Sequence, residues 1–224
     1  MNIANLDLFK GLNENSQKIV QKELKIKNFQ IGFPITYPNE IQNSIFIIIE
    51  GQARLIGFED KKPITIAKLS NGSVLGLGSL LRAGACEQIS ASTEVKTLIL
   101  PDQIVVDLYK TDKAFKSFCM STIFPGEIQS IAEYLLNNSP RSNIKLLNSF
   151  NSIFQNHKLI SKENNEELTQ DKSSVIFSAS ANIIDIPICT LIKDNLVVKC
   201  QEPFASRFIQ IPTKLYEEFN SNID

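Results

Sequence analysis

A single histidine, two methionines and no tryptophan occur in this chain of 224 residues. One imidazole excludes most familiar metal sites, which draw on several ligands of that kind. That residue, His157, stands in the polar stretch 155–158 and reads as a solvated loop residue rather than a general base. Positive charge is not in excess: 23 Lys and Arg face 24 Asp and Glu, so no field is present to hold nucleic acid or an anionic membrane surface. No apolar run approaches the roughly 18 residues of a membrane span, and residues 1–7 lack the basic start and apolar centre of a signal peptide, so a cytoplasmic chain with no direct membrane insertion is expected. The four cysteines, Cys86, Cys119, Cys189 and Cys200, are widely spaced with no Cys-x-x-Cys, which excludes a disulfide framework and a redox or zinc pair and leaves reduced, mostly buried thiols. A phosphate-binding Gly-x-x-x-x-Gly-Lys loop is absent, so no ATPase is expected. Glu127 and Glu133, six apart, do not share one helix face, and Glu166-Glu167 reads as a solvated pair.

What the chain does have is a glycine-rich turn between two strand patterns. Four of its nine glycines fall between Gly72 and Gly84. Gly76-Leu77-Gly78-Ser79-Leu80-Leu81-Arg82 forms a short apolar segment suited to bring backbone N–H groups close to an anion, with Ser79 expected to cap a short helix. After it, Ile89-x-Ala91-x-Thr93-x-Val95 alternates as a half-buried strand, and residues 97–100 continue as an apolar run. Upstream, apolar spacing over Leu6–Leu24 predicts one or two amphipathic helices, with Asn13 or Asn15 as a cap. Residues 25–35 alternate toward a strand, Pro34 and Pro38 bracket a turn, and 45–49, 52–58 and 64–69 read as strands joined at hairpin spacing, with a charged tip at 59–63. Such a series predicts an antiparallel barrel or jelly roll.

From Gln103 the period becomes helical through Cys119, and a second helix is predicted from Pro125 to Leu136. Residues 137–143 read as a linker, which divides the chain into a first domain, 1–138, and a second, 139–224. The second opens with an apolar helix over 144–154, passes through a polar stretch to 174, and then shows strand patterns at 175–180, 186–192, 196–199 and 207–211 before a terminal helix at 213–219. It holds nine basic residues against ten acidic and no basic recognition helix, so it is a small β-rich unit rather than a helix-turn-helix, and nucleic acid is not an expected partner. The apolar set of the 144–154 helix predicts that this unit docks on the first.

The order of strand, glycine turn, short helix and strand resembles the cyclic nucleotide-binding domain family over residues 1–135. The resemblance is carried by residues 71–76, by Ser79-Leu80-Leu81 and by Ala91-Ser92-Thr93-Glu94-Val95. It implies an antiparallel jelly-roll barrel with flanking helices, and later helices that cover a ligand. Two ligand contacts of the family are absent: its ribose-binding Glu falls on Leu77 and its phosphate-binding Arg falls near Ala85 or Cys86. More narrowly, residues 78–87 and 91–95 resemble the version at the N-terminus of cyanobacterial ABC exporters of the peptide or bacteriocin type. The resulting expectation is a non-catalytic sensory or regulatory module with a degenerate cassette, the N-terminal part or a free-standing relative of an ABC-type exporter, without cofactor, partnered by an ABC transporter or its downstream domains, in which a cyclic nucleotide is not favoured. Its alternative is a regulator that binds a nucleotide or another anion through Gly78, Ser79 and Arg82. Gly76, Leu77, Leu80 and Glu87 complete the candidate cassette set. A peptidase-linked enzyme, the kind such exporters often carry, is the distant third, because no cysteine stands in a Gln-rich, Gly-flanked nucleophile motif and His157 has no evident partner.

Overall fold

The computed structural model describes residues 5–141 and 143–220, so part of the opening stretch compared with a signal peptide lies outside the described residues. A short 3-10 turn, Asp7–Phe9, leads to α1 (Glu14–Glu23). Asn13 caps α1 by accepting the Ser16 N–H at 2.9 Å, one of the two caps expected.

Eight strands follow: β1 (Lys25–Phe29), β2 (Pro34–Thr36), β3 (Ser44–Glu50), β4 (Ala53–Glu59), β5 (Lys62–Leu69), β6 (Val74–Leu75), β7 (Ile89–Ala91) and β8 (Val95–Pro101), with the short α2 (Leu77–Leu81) between β6 and β7. They form two antiparallel four-stranded sheets, in orders β1-β8-β3-β6 and β2-β7-β4-β5. This is the jelly-roll arrangement expected, but the sheets are hydrogen-bonded separately and do not close into a barrel among the described residues. The uninterrupted apolar run 45–48 has a simple cause. Phe46 and Ile48 face the core between the sheets, whereas Ile45 and Ile47 face a second core under the helices, so β3 is buried on both sides. Pro34 begins a strand rather than a turn, and β1 is exposed at four of its five positions instead of alternating, as suits an edge strand rich in lysine. The strand read over 89–95 is broken at 92–94, between β7 and β8.

Helices α3 (Asp102–Thr111) and α4 (Lys113–Ser121) replace the single helical run read from Gln103 to Cys119. The break is at Asp112, whose carboxylate accepts the N–H groups of Ala114 and Phe115 at 3.0 and 3.1 Å and also bonds Asn13. An aspartate able to cap a new helix ends the old one. Next come α5 (Pro125–Asn138) and α6 (Leu146–Asn156).

The C-terminal segment contains β9 (Lys158–Lys162), β10 (Glu167–Leu168), β11 (Ser174–Ser178), β12 (Leu191–Ile192), β13 (Leu196–Val197), β14 (Ser206–Pro212) and α7 (Thr213–Asn220). Strands β9 and β10 lie in the stretch read as merely polar, and only Leu191 and Ile192 of the run 186–192 are strand. The main sheet here is ordered β12-β11-β14-β9. Its two faces are divided: Ile176 and Phe208 pack with Leu168, Ile183 and Val198 in a local core, while Phe177, Ile209 and Ile211 join the core of the N-terminal sheets. Leu146, Phe150 and Ile153 of α6 belong to that shared core as well.

Candidate functional site

The cassette is the turn and helix from Gly76 to Arg82 together with the loop to Glu87. Gly76 adopts a left-handed backbone, φ 82°, and its N–H donates to Glu87 Oε2 at 2.6 Å. Gly76, not Ser79, precedes α2, and no side chain caps that helix. Ser79 lies inside it, where its Oγ accepts the Cys86 N–H at 3.1 Å and meets Cys86 Sγ at 3.5 Å. A serine within a short helix thus ties down the loop that follows.

Leu77 is fully buried, among Ile45, Ile47, Leu81, Val105 and Phe124 in the helix-side core. Leu80 is half-buried against the same core. Arg82 is not a surface residue. Its side chain is 2 % exposed, Nη1 donates to Ser130 Oγ in α5 at 2.8 Å, and Nε has no partner. The Arg82 carbonyl accepts the Ala181 N–H of the C-terminal segment at 2.7 Å.

Helix α5 closes the cassette from above. A Cβ on Gly78 would sit 2.8 Å from Phe124 Cβ and 3.2 Å from Glu87 Oε1, and a Cβ on Gly126 would sit 2.6 Å from both the Cys86 carbonyl oxygen and Glu87 Cγ. Both glycines are therefore required by close approach of α5 to the cassette. A Cβ at Gly84 would meet Ile188 at 2.9 Å, so the C-terminal segment also presses on the loop.

Two residues outside the expected cassette set organise this region. Glu127, in the first turn of α5, is fully buried and forms a bidentate ion pair with Arg207 of β14, Nε to Oε1 at 2.5 Å and Nη2 to Oε2 at 2.7 Å. Arg207 also donates to the carbonyls of Cys119 and Thr122 at 2.8 and 2.7 Å. Glu127 Oε2 in turn accepts the Phe124 N–H at 3.0 Å. The chain carries one sign of this pair: Arg207 opens a run, Arg-Phe-Ile-Gln-Ile, that is otherwise apolar on its buried positions, and a charge buried in a strand requires a partner.

Burial pushes the Glu87 carboxyl up to about 7; the Gly76 N–H opposes this, the nearby Glu127 adds to it, and Arg82 opposes it again. Burial likewise pushes the thiols of Cys86 and Cys119 up to about 12 and that of Cys189 to about 11. Such thiols stay protonated at neutral pH and make poor nucleophiles. His157 Nδ1 meets the Phe154 carbonyl at 2.8 Å at the end of α6. Among the described residues no cluster of His, Cys, Asp and Glu could hold a metal, and no helix is long and apolar enough to cross a membrane.

Residues 26–112, which run from β1 to the end of α3, match the family model of the cyclic nucleotide-binding domain. No curated protein matches the chain. Among solved structures it is similar to a putative cyclic nucleotide-binding protein from Geobacter metallireducens, at 18 % identity over 54 % of this chain and 90 % of that one, TM-score 0.44. It is also similar to the catabolite activator protein of Thermus thermophilus, at 19 % identity over 58 % and 70 %, TM-score 0.43. A third similarity is to the regulatory domain of Toxoplasma gondii PKA crystallised with cAMP, at 10 % identity over 97 % and 88 %, TM-score 0.46.

Proposed function

We propose that this protein is a non-catalytic regulatory module whose cassette is filled by its own side chains and does not take a cyclic nucleotide. The observation that carries this reading is the Glu87 carboxyl seated on the Gly76 N–H, beneath a first turn of α5 that leaves no room for a Cβ at Gly78 or Gly126. Leu77, where the family has a ribose acceptor, cannot accept a hydroxyl hydrogen bond and is committed to the core. Lost contacts to a charged phosphate and a buried hydroxyl each weaken binding, charged ones the more. The protonated thiols and the backbone-bonded His157 support the absence of catalysis. Balanced charge supports the absence of nucleic-acid binding. The link to an ABC-type exporter rests on the resemblance of residues 78–87 and 91–95 alone.

The unpartnered Arg82 Nε favours the second reading, in which an anion enters beside Gly78 and Ser79. Titration calorimetry at neutral pH with cAMP and cGMP separates the two. The expected result is no saturable heat in the micromolar range, and a micromolar dissociation constant for either nucleotide would overturn the first reading.

A further inference from the structure

The buried charges around the cassette are unevenly matched. The Arg207 guanidinium is committed, with its donors on Glu127, Cys119 O and Thr122 O. Arg82 is not: it reaches Ser130 through Nη1 and leaves Nε unsatisfied. Glu87 lies between these two systems. Its Oε2 accepts from Gly76 at the cassette turn, and its Cγ stands against Gly126 at the start of α5.

We propose that the contact between the cassette and the α5–β14 lid is a proton-operated latch, closed while Glu87 is neutral and loosened when Glu87 ionises. The groups that face Glu87 are Arg82 after α2, Cys86 beside it, and Glu127 of α5, with Arg207 of β14 behind Glu127. Cys86 stays neutral. Glu127 already engages Arg207, so a second carboxylate here would sit near a like charge in a buried site. The countercharge left to it is Arg82. Drawing that guanidinium toward Glu87 takes Nη1 away from Ser130, which is the bond joining the cassette to α5. It also disturbs the Arg82 carbonyl, where the C-terminal segment is held through Ala181. Burial sets the titration of Glu87 near neutrality, which places the change in an accessible pH range.

The latch rests on the closed cassette of the proposed function, but the two fail separately. Nucleotide binding would end that reading and leave a pH response standing, while a pH-independent lid would end only the latch. Amide exchange of the full chain, corrected for the intrinsic pH dependence of the chemistry, is followed at pH 6 and pH 8 over α5 and residues 178–190. Protection is expected to fall roughly tenfold at pH 8, and Glu87→Gln, which keeps an acceptor for Gly76 and cannot ionise, is expected to stay protected at both. Equal protection of the unsubstituted protein at both pH values, or an unchanged pH response in the variant, would overturn the latch. If the variant fails to fold, infrared spectroscopy of the unsubstituted protein decides: a protonated-carboxyl band lost with a midpoint near 7 supports the latch, and no such loss overturns it.

Discussion

Two buried carboxylates a short way apart are held in opposite ways. Glu127 in the first turn of α5 has a bidentate arginine and a backbone donor, whereas Glu87 in the cassette loop receives the Gly76 N–H and no bidentate cation. The contrast separates a carboxylate that carries structure from one that can change state. A carboxylate locked by a guanidinium that is itself saturated has nowhere to go, and its removal leaves several orphaned groups. A carboxyl kept partly neutral by burial can gain or lose a charge while the fold around it persists.

Arg207→Met should do the most damage. It leaves Glu127 buried without its cation and strips donors from the carbonyls of Cys119 and Thr122, in a place that joins α4, α5 and β14. Urea unfolding should show a loss of about 3–5 kcal/mol, the range for one partner removed from a buried pair. A loss below about 1 kcal/mol would mean that the pair is not the tie described.

Glu87 should reveal itself through pH. Its carboxyl is raised from 4.5 to about 7 in the folded chain, so between those values the folded state holds a proton that the unfolded state has released. Stability therefore falls as pH rises from about 4.5 to 7 and is flat above, by up to roughly 3 kcal/mol, since each pH unit between the two values is worth about 1.4 kcal/mol. Asp112 acts in the other direction and at lower pH. Burial pushes it up, but hydrogen bonds from the Ser16 side chain and the N–H groups of Phe115, Asn13 and Ala114 outweigh this and hold it below 3.8. Its contribution is lost only as pH falls through that range, so denaturant titrations from pH 5 to 8 isolate Glu87, and Glu87→Gln should remove most of the slope. A slope that survives the substitution assigns the proton elsewhere.

Gly78→Ala should cost least of the three. The new Cβ would lie 2.8 Å from Phe124 Cβ, part of α5's entry rather than a flexible side-chain tip, so the helix must give way. Overpacking of this kind costs about 1–3 kcal/mol. A thermal midpoint equal to that of the unsubstituted protein would show that the lid sits more loosely on α2 than the structure has it.

Much of this architecture can be read from the chain alone. The run 45–49 between proline and glycine turns and the hairpin of 52–58 with 64–69 announce sheets, because period and turn chemistry are local. So do the caps: Asn13 is visible as a polar residue ahead of an amphipathic stretch. The cassette is visible too, since glycines at fixed offsets mark a backbone that must turn tightly. Local pattern misleads where a residue serves a distant element. Asp112 breaks what periodicity makes one helix because it caps α4 and holds Asn13, 99 residues earlier in the chain.

Most strands, helices and turns up to residue 138, and the cassette turn itself, are thus already present in the order of the residues. The work done by the cassette residues is not; packing in three dimensions assigns it. Ser79 binds its own loop, Arg82 reaches Ser130 48 residues onward, Glu87 takes the Gly76 N–H, and Glu127 meets Arg207 80 residues away. The physical reason is that backbone preference and apolar period act over a few residues and leave a trace at that spacing, while the partner of a buried charge is fixed by which elements pack together. No spacing in the chain records that choice.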